Sequence, residues 1–291
     1  MTGVLDWFGA TPLANPERLI AAISTSLKGI DIARVVRSRG QYTYHHLDTA
    51  LDGLGVRVFD VLSGGSNSAP HLRSSGHYAE PVAQALRLNF PGFALTRADL
   101  ALDFCSPGAW DSLRAECQAI ATEFGIKWAV LGDDRPEGVR DPLQGRTFYM
   151  GSRSSPVFLR GYEKGLQLLS AGVVLSPGEE PPSPHHVRVE LEFKPQKREA
   201  KLRAASLSYQ QMWGSSPWSR ATLRRILGLD VERIVLNQRK VSEAARASRH
   251  AAVQYRKAFQ EYIEQNGGDP AVLLALFEEV WRDMDNHRFA A

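Results

Sequence analysis

The chain has 291 residues, 43% of them hydrophobic and 23% charged, a composition typical of a soluble globular protein. This length allows one large domain or two modest ones, and no apolar run reaches the roughly 18 residues that a membrane-spanning helix needs. The first residues lack a basic stretch followed by an apolar core, and Cys105 and Cys117 are the only cysteines. We therefore expect a cytoplasmic protein with no secretory signal, no membrane association, no disulfide framework and no cysteine-rich zinc site.

The net charge of +3 is unevenly distributed along the chain. Residues 194–257 carry 15 Lys and Arg against 4 Asp and Glu, whereas the segments on either side are net acidic. A basic block of this kind favours binding to a polyanion, because cationic side chains neutralise phosphates and release counterions. A solvated, arginine-rich helical surface is the alternative interpretation.

Strands and helices are predicted to interleave over the first two thirds of the chain. In chain order we predict one or two short helices over 16–38, strands over 41–48 and 56–62, a helix over 80–88, a strand over 95–104 and a helix over 110–124. A polar loop follows over 133–144, then strands over 146–151, 157–164 and 186–194, with a proline-rich loop over 171–185. From about residue 197 the pattern is helical, with breaks at 214–217 and 267–270.

This order predicts an α+β fold in which helices flank an antiparallel β-sheet, followed by a helical C-terminal region. We divide the chain accordingly into an α+β domain over residues 1–195 and a helical, basic region over residues 196–291.

Three of the predicted strands carry a polar face that core packing does not require. Strand alternation groups the polar residues of TRADLALDF, HVRVELEF and FLRGYEKG as follows: Arg97, Asp99 and Asp103; His186, Arg188, Glu190 and Glu192; Arg160, Tyr162 and Lys164. A solvated face is the alternative for any single strand. If the three strands are neighbours in one sheet, acids, arginines and a tyrosine converge on one surface.

Phosphoryl transfer is the chemistry that such a surface would serve. A protonated phenol is a poor nucleophile and needs a nearby cation or base, and we expect Arg160 and Lys164 to orient phosphate oxygens and to lower the pKa of Tyr162. Carboxylates would hold a divalent cation, Mg²⁺ or Mn²⁺, that polarises the scissile phosphate. A phosphotyrosine link conserves the energy of the broken phosphodiester, which agrees with the lack of a G-x-x-x-x-G-K-[ST] nucleotide loop in the sequence.

Six phrases in the chain resemble the replication initiation factor family of rolling-circle plasmids and filamentous phages, which is related to relaxases of integrative elements. They cover roughly residues 5–195 in family order: LDWFGAT, the Ser63–Gly65 turn, TRADLALDF, GRTFYMGSRSS, FLRGYEKG and HVRVELEFK. The family is similar in sheet architecture to the HUH endonucleases, whose metal motif is histidine-hydrophobic-histidine. This chain has no His-x-His, in agreement with the carboxylate metal site that the resemblance implies.

The resemblance implies that Tyr162 is the nucleophile and that acids of the two other strands bind the metal. Asp99 and Glu190 are the preferred ligands, with Asp103 and Glu192 as further candidates. Tyr149, in the strand of GRTFYMGSRSS, is the main rival nucleophile, and the remaining tyrosines are assigned to packing or DNA contact.

The residues expected to contact DNA are all arginines: Arg97, Arg153, Arg188, Arg220, Arg224 and Arg225. A plain turn explains the sequence around Arg153 nearly as well as a phosphate contact does. Trp213 and Trp218 flank a Gly-Ser-Ser-Pro segment and are assigned to the core in preference to base stacking.

Taken together, these patterns predict a rolling-circle replication initiator, in which residues 1–195 nick and rejoin origin DNA and leave a free 3′-OH primer, and residues 196–291 bind DNA or play an accessory role. A mobilisation relaxase of the same chemistry, a non-catalytic DNA-binding regulator and a nuclease that uses activated water are the alternatives. The expected partners are single-stranded or supercoiled origin DNA and a host helicase, since the chain shows no ATPase motif. A homodimer with a second copy of the chain is compatible with the sequence.

Overall fold

A computed structural model describes residues 3–132, 135, 144–172, 180–235 and 243–288. The chain divides into two compact units, Met1–Asn237 and Gln238–Ala291. The first unit contains the sheet and seven of the described α-helices, and the second contains three. The division therefore falls some 40 residues after the end of the sheet, whereas the sequence placed it at residue 195.

One ten-stranded sheet organises the described part of the first unit. Its strands are β1 (Val4–Thr11), β2 (Ile32–Arg39), β3 (His46–Asp52), β4 (Arg57–Ser63), β5 (His71–Ser75), β6 (Ala94–Cys105), β7 (Trp128–Leu131), β8 (Thr147–Gly151), β9 (Val157–Tyr162) and β10 (His186–Phe193). The spatial order is β2-β3-β4-β5-β1-β6-β10-β9-β8-β7, and every pairing is antiparallel. The predicted fold class is confirmed.

The helices of the first unit are α1 (Pro16–Ser26), α2 (Ala79–Asn89), α3 (Ala109–Glu123), α4 (Lys164–Ser170), α5 (Arg198–Ala204), α6 (Tyr209–Trp213) and α7 (Pro217–Leu227). Those of the second unit are α8 (Glu243–Gln254), α9 (Arg256–Gln265) and α10 (Ala271–Arg288). Local signals explain several ends: Asn15 caps α1, Ser216 precedes the proline that begins α7, and Gly228 ends α7 in the left-handed conformation. No helix among the described residues is long and apolar enough to cross a membrane.

The apolar face of the sheet forms the core together with the helices that cover it. Alternate residues of the central strands, such as Phe8, Ala98, Leu191 and Leu159, are fully buried there. Burial of a leucine or phenylalanine side chain contributes about 1.5–3 kcal/mol. Helices α1 and α2 pack against one end of the sheet, and α3, backed by α7, packs against the other.

The C-terminal helices α6 and α7 belong to this core. Trp213 and Trp218 are almost fully buried, which agrees with the packing role assigned to them. Since α7 packs on α3, this part of the helical region is one body with the sheet.

Several predicted elements differ from those in the structure. Residues 32–39 form β2 rather than the end of a helix, and strand β3 begins five residues later than predicted. Lys164 begins α4 and so does not continue the β9 strand. Strands β1, β5 and β7 were not predicted. The predicted loop over 133–144 lies outside the described residues except at 135 and 144, and that over 171–185 lies outside them at 173–179.

Candidate active site on the polar face of the sheet

The three strands with polar faces are neighbours, in the order β6-β10-β9. The register places Glu192 opposite Asp99 on one side of β10, and Arg188 opposite Tyr162 and Glu190 opposite Arg160 on the other. Strand alternation therefore brings the acids, the arginines and the tyrosine onto one face, with the apolar core beneath them.

Tyr162 and Arg160 share the carboxylate of Glu190. The Tyr162 hydroxyl donates a hydrogen bond of 2.6 Å to Glu190 Oε1, and Arg160 Nε donates one of 2.6 Å to Oε2. Glu190 is 1% exposed, while Tyr162 and Arg160 are half-buried. A phenol, a carboxylate and a guanidinium are thus held in one hydrogen-bonded group within reach of solvent.

The environment raises the pKa of Tyr162 above its ordinary value. Burial is the main cause, and the negative charge of Glu190 and the hydrogen bond to it act in the same direction. The positive charges of Arg188 and Arg160 oppose this shift without overcoming it. The neighbouring arginines thus lower this pKa as expected, but burial and Glu190 outweigh them, and the phenol needs a base that takes its proton.

A second group of charges adjoins the first, on β6 and β10. Arg97 holds Asp99 through two hydrogen bonds, of 2.8 and 2.6 Å, and also forms an ion pair of 2.8 Å with Glu192. Lys194 pairs with Glu192 from the other side. Burial raises the pKa of Asp99 to about 6, and the charges of Glu192 and Glu190 contribute, whereas Arg97 opposes the shift.

Asp103 belongs to a third group at the other end of β6. Arg188 binds it through Nε and Nη2, at 2.7 and 2.8 Å, and His186 Nε2 lies 2.7 Å from the same carboxylate. Arg188 also donates to Asp6 at 2.7 Å. These partners hold the pKa of the Asp103 carboxyl below its ordinary value against the effect of burial.

The metal ligands predicted from the sequence are carboxylates, which suit a hard divalent cation. Their oxygens, however, are already bound by arginine and lysine side chains. Asp99, Glu190 and Glu192 lie close enough for their charges to act on one another, and hard cations prefer carboxylate oxygens. Each of the three is paired with Arg97, Arg160 or Lys194. Within the described ranges, no three His, Cys, Asp or Glu side chains form a ready-made metal centre.

The other predicted residues near the site have different surroundings. The Lys164 amino group lies 5.7 Å from the centre of the Tyr162 ring, although its backbone is helical. Tyr149 is on the same face, on β8, where its ring stacks on Phe158 and is covered by the Arg153 guanidinium at 5.3 Å. Arg153 therefore lies beside the polar face, and Tyr149 is engaged in ring packing.

The predicted DNA-binding arginines of α7 lie away from this group of side chains. Arg220 pairs with Asp230 at 2.8 Å, and Arg225 pairs with Glu116 and Glu123 of α3. Arg224 is exposed. Two of the three thus take part in ion pairs within the first unit.

Two residues of β1 were not assigned to the site from the sequence. Asp6 binds Arg188, and Trp7 lies opposite Asp99 with the Arg97 guanidinium 5.3 Å from the centre of its ring. Both occur in LDWFGAT, which the sequence pattern does not mark as a strand next to β6. Its alternation is obscured by a register shift at Asp6, between Leu5 and Trp7, and by another between Gly9 and Ala10.

Comparison with protein families finds one matching family model. The sequence model of the family described as replication initiation factor matches residues 93–267, which include β6, β9 and β10. A solved structure of a rolling circle replication initiator protein from Geobacillus stearothermophilus is similar to the chain with a TM-score of 0.49 and 16% sequence identity, over 83% of this chain and 89% of that chain. No curated protein matches the sequence.

Proposed function

We propose that this chain, which belongs to the replication initiation factor family, starts rolling-circle replication by nicking and rejoining origin DNA with Tyr162 as the nucleophile. The observation that carries the proposal is the hydrogen bond from Tyr162 to Glu190, on the polar face of the sheet and flanked by Arg160 and Arg188. It combines a nucleophile, an acceptor for its proton and charges that suit a phosphate.

In the proposed step the phenol oxygen of Tyr162 attacks the phosphorus of the scissile phosphodiester. The new bond is O–P, the P–O3′ bond breaks, and the phenol proton passes to Glu190. The leaving O3′ takes a proton from solvent and becomes the primer end. Rejoining is the reverse reaction: a 3′-OH attacks the phosphotyrosine, and Tyr162 recovers its proton. No bond energy is lost, so the cycle needs no ATP.

Because the pKa of Tyr162 is raised, the proposed reaction needs a base beside the phenol, and Glu190 is that base. A free phenolate is rare at neutral pH, so the proton must leave as the O–P bond forms. Arg160 fixes the orientation of Glu190 through its second oxygen. In the proposed step Lys164, beside the phenol ring, binds a non-bridging oxygen, on which charge develops, while Arg188 contributes its positive charge from the paired strand and stays bound to Asp103 and Asp6.

A divalent metal belongs to the proposal as a cofactor that Asp99 and Glu192 would hold, next to Glu190, which accepts the phenol proton. When bound, it would supply Lewis-acid polarisation of the phosphate. Arg97 and Lys194 now neutralise two of these carboxylates, so the cation would have to compete with them. Asp103 is left out of the set, because Arg188 and His186 bind its oxygens.

The proposed partner is origin DNA, with the basic residues of 194–257 contacting phosphates outside the cleavage site. The exposed Arg224 is the α7 arginine best placed for this role, since Arg220 and Arg225 are already paired. A host helicase would supply the strand separation that continued synthesis requires.

Incubation of supercoiled plasmid carrying the cognate origin with the protein and Mg²⁺ or Mn²⁺ tests the proposal. Wild type should nick the plasmid and remain attached to DNA on a denaturing gel, whereas Tyr162→Phe should give neither product and should still bind DNA. Tyr149→Phe, a tyrosine on the same face, is the matched control and should retain the adduct. Nicking without any adduct would indicate a water nucleophile, and binding without nicking would indicate a regulator.

A further inference from the structure

A cleft of about 600 Å³ opens on the polar face beside the proposed active site. Its aromatic side chains are Trp7, Tyr42, Tyr44 and His71, and its cations include Arg97 and Lys201. We call it the aromatic cleft. The reaction proposed above uses none of these four aromatic residues.

Two of the four aromatic residues form a stacked pair, and a third is exposed to solvent. The rings of Tyr44 and His71 are stacked, with centroids 6.4 Å apart and planes 23° apart. Tyr42 is 89% exposed, and its φ of 57° places it in the left-handed region, where a tyrosine is uncommon. Such a residue has no packing role that explains a large ring in that position.

The floor of the aromatic cleft offers hydrogen-bonding groups as well as rings. Thr96 is skipped in the register between β1 and β6, and its Oγ1 is buried without a hydrogen-bond partner within the described part of the chain. Gly9 leaves this floor open, since a Cβ added there would meet Thr96 Oγ1 at 3.0 Å and the His71 ring at 3.4 Å. Burial, with the charges of Arg73 and Lys201, lowers the pKa of His71 to about 4, so its ring is neutral at physiological pH.

Arg97 joins the aromatic cleft to the proposed active site. It lines the cleft, its guanidinium lies over Trp7, and it binds Asp99 and Glu192. Three strand spacings of about 4.8 Å separate β1 from β9, so Trp7 lies on a strand roughly 14 Å from that of Tyr162. A DNA strand lying across the polar face would reach the cleft a few nucleotides from its scissile phosphate.

We propose that the aromatic cleft binds an unpaired base of single-stranded DNA close to the cleavage position, with Lys201 and Arg97 contacting the adjoining phosphates. The inference rests on the proposed function for the DNA strand that crosses the sheet, but the binding it describes needs no cleavage. Aromatic rings next to cations are the combination that holds unpaired nucleotides, because every base has a face that stacks and every linkage has a charge. Bases paired within a duplex cannot enter such a cleft.

Fluorescence anisotropy with labelled oligodeoxythymidine, in a Tyr162→Phe background that forms no adduct, tests the binding. Tyr42→Ala removes an exposed ring without disturbing the core and should weaken affinity about fivefold to tenfold or more at fixed ionic strength, since stacking contributes about 1–3 kcal/mol per base. The matched control Leu54→Ala, at a turn residue 91% exposed, should leave affinity unchanged. Affinity for blunt duplex should change much less than affinity for the single strand.

Photocrosslinking with oligonucleotides that contain 5-iododeoxyuridine locates the base directly. Crosslinks should fall on the tryptic peptide of residues 40–57, which carries Tyr42 and Tyr44, or on Trp7. Unchanged affinity in Tyr42→Ala together with crosslinks only outside the aromatic cleft would overturn the inference. The adduct assay separates this failure from failure of the proposed function. An adduct on wild type without a crosslink in the cleft would contradict only the inference about the cleft. A crosslink in the cleft without an adduct would contradict only the proposed cleavage chemistry.

Discussion

The Tyr162 hydroxyl donates a 2.6 Å hydrogen bond to Glu190, a carboxylate that is only 1% exposed and is bound on its other oxygen by Arg160. A buried carboxylate that is hydrogen-bonded on both oxygens has little freedom to move. The proton acceptor and the proposed nucleophile are therefore held in fixed positions by adjacent strands before any substrate arrives.

Replacing Glu190 by glutamine should slow adduct formation by a hundredfold or more, in the range of about 10²–10⁴ that general-base catalysis contributes. The amide has the same shape but cannot take the phenol proton. The rate of the DNA–protein adduct, measured by quenched denaturing gels, checks this, with Glu199→Gln on the exposed face of α5 as the control. A Glu190→Gln rate within a few-fold of wild type would remove Glu190 from the proton transfer.

Removal of divalent metal should abolish nicking while leaving DNA binding in place. Asp99→Asn should weaken Mn²⁺ binding followed by electron paramagnetic resonance, because it removes one of the three carboxylates whose charges act on one another. Asp103→Asn is the matched control, since its oxygens are bound by Arg188 and His186, and should bind Mn²⁺ like wild type. Nicking that persists at full rate in EDTA would contradict the proposed metal requirement.

Because the fold holds His71 in its neutral form, we expect the protein to lose stability in mild acid. Its pKa falls from about 6.5 in the unfolded chain to about 4 in the fold, so the unfolded state binds more protons between these values. The stabilisation is full above pH 6.5 and is lost as the pH falls toward 4 and below, on the order of 1–3 kcal/mol. Denaturant unfolding of wild type and His71→Gln from pH 7 to pH 4 should show wild type losing stability relative to the variant, and parallel curves would contradict the assignment.

Gly161 precedes Tyr162 in β9 and accommodates the ring of Phe148 from the neighbouring strand. A Cβ at Gly161 would lie 2.1 Å from Cζ of Phe148. Gly161→Ala should therefore lower the free energy of unfolding by about 1–3 kcal/mol, as overpacked cores do. In a double-mutant cycle, Phe148→Ala should lower the free energy of unfolding less in the Gly161→Ala background than in wild type, because it also removes the clash between the new methyl group and the ring. Additive effects of the two substitutions would show that the ring and the glycine do not interact.

The polar faces were predictable because polar and apolar residues alternate over 97–104 of β6, 159–162 of β9 and 186–193 of β10. Their adjacency was not predictable, since pairing order depends on how the intervening loops and helices pack. The strand β1 was missed for a different reason: register shifts next to Trp7 break the alternation on which a strand assignment depends. The raised pKa of Tyr162 was not predictable either, because it depends on burial by the neighbouring strands, which outweighs the positive charges of Arg160 and Arg188.

Some of the helices that follow residue 195 share a core with the sheet. Helices dominate after residue 195, yet Trp213 and Trp218 are buried in the core that the sheet forms. Burial of these rings shows that α6 and α7 share the core of the first compact unit with the sheet.

Mass spectrometry of the DNA-linked peptide tests the central claim most directly. After incubation with origin DNA and metal, followed by protease and nuclease digestion, the residual nucleotide should be found on Tyr162. A nucleotide on Tyr149, or on any other residue, would contradict the account.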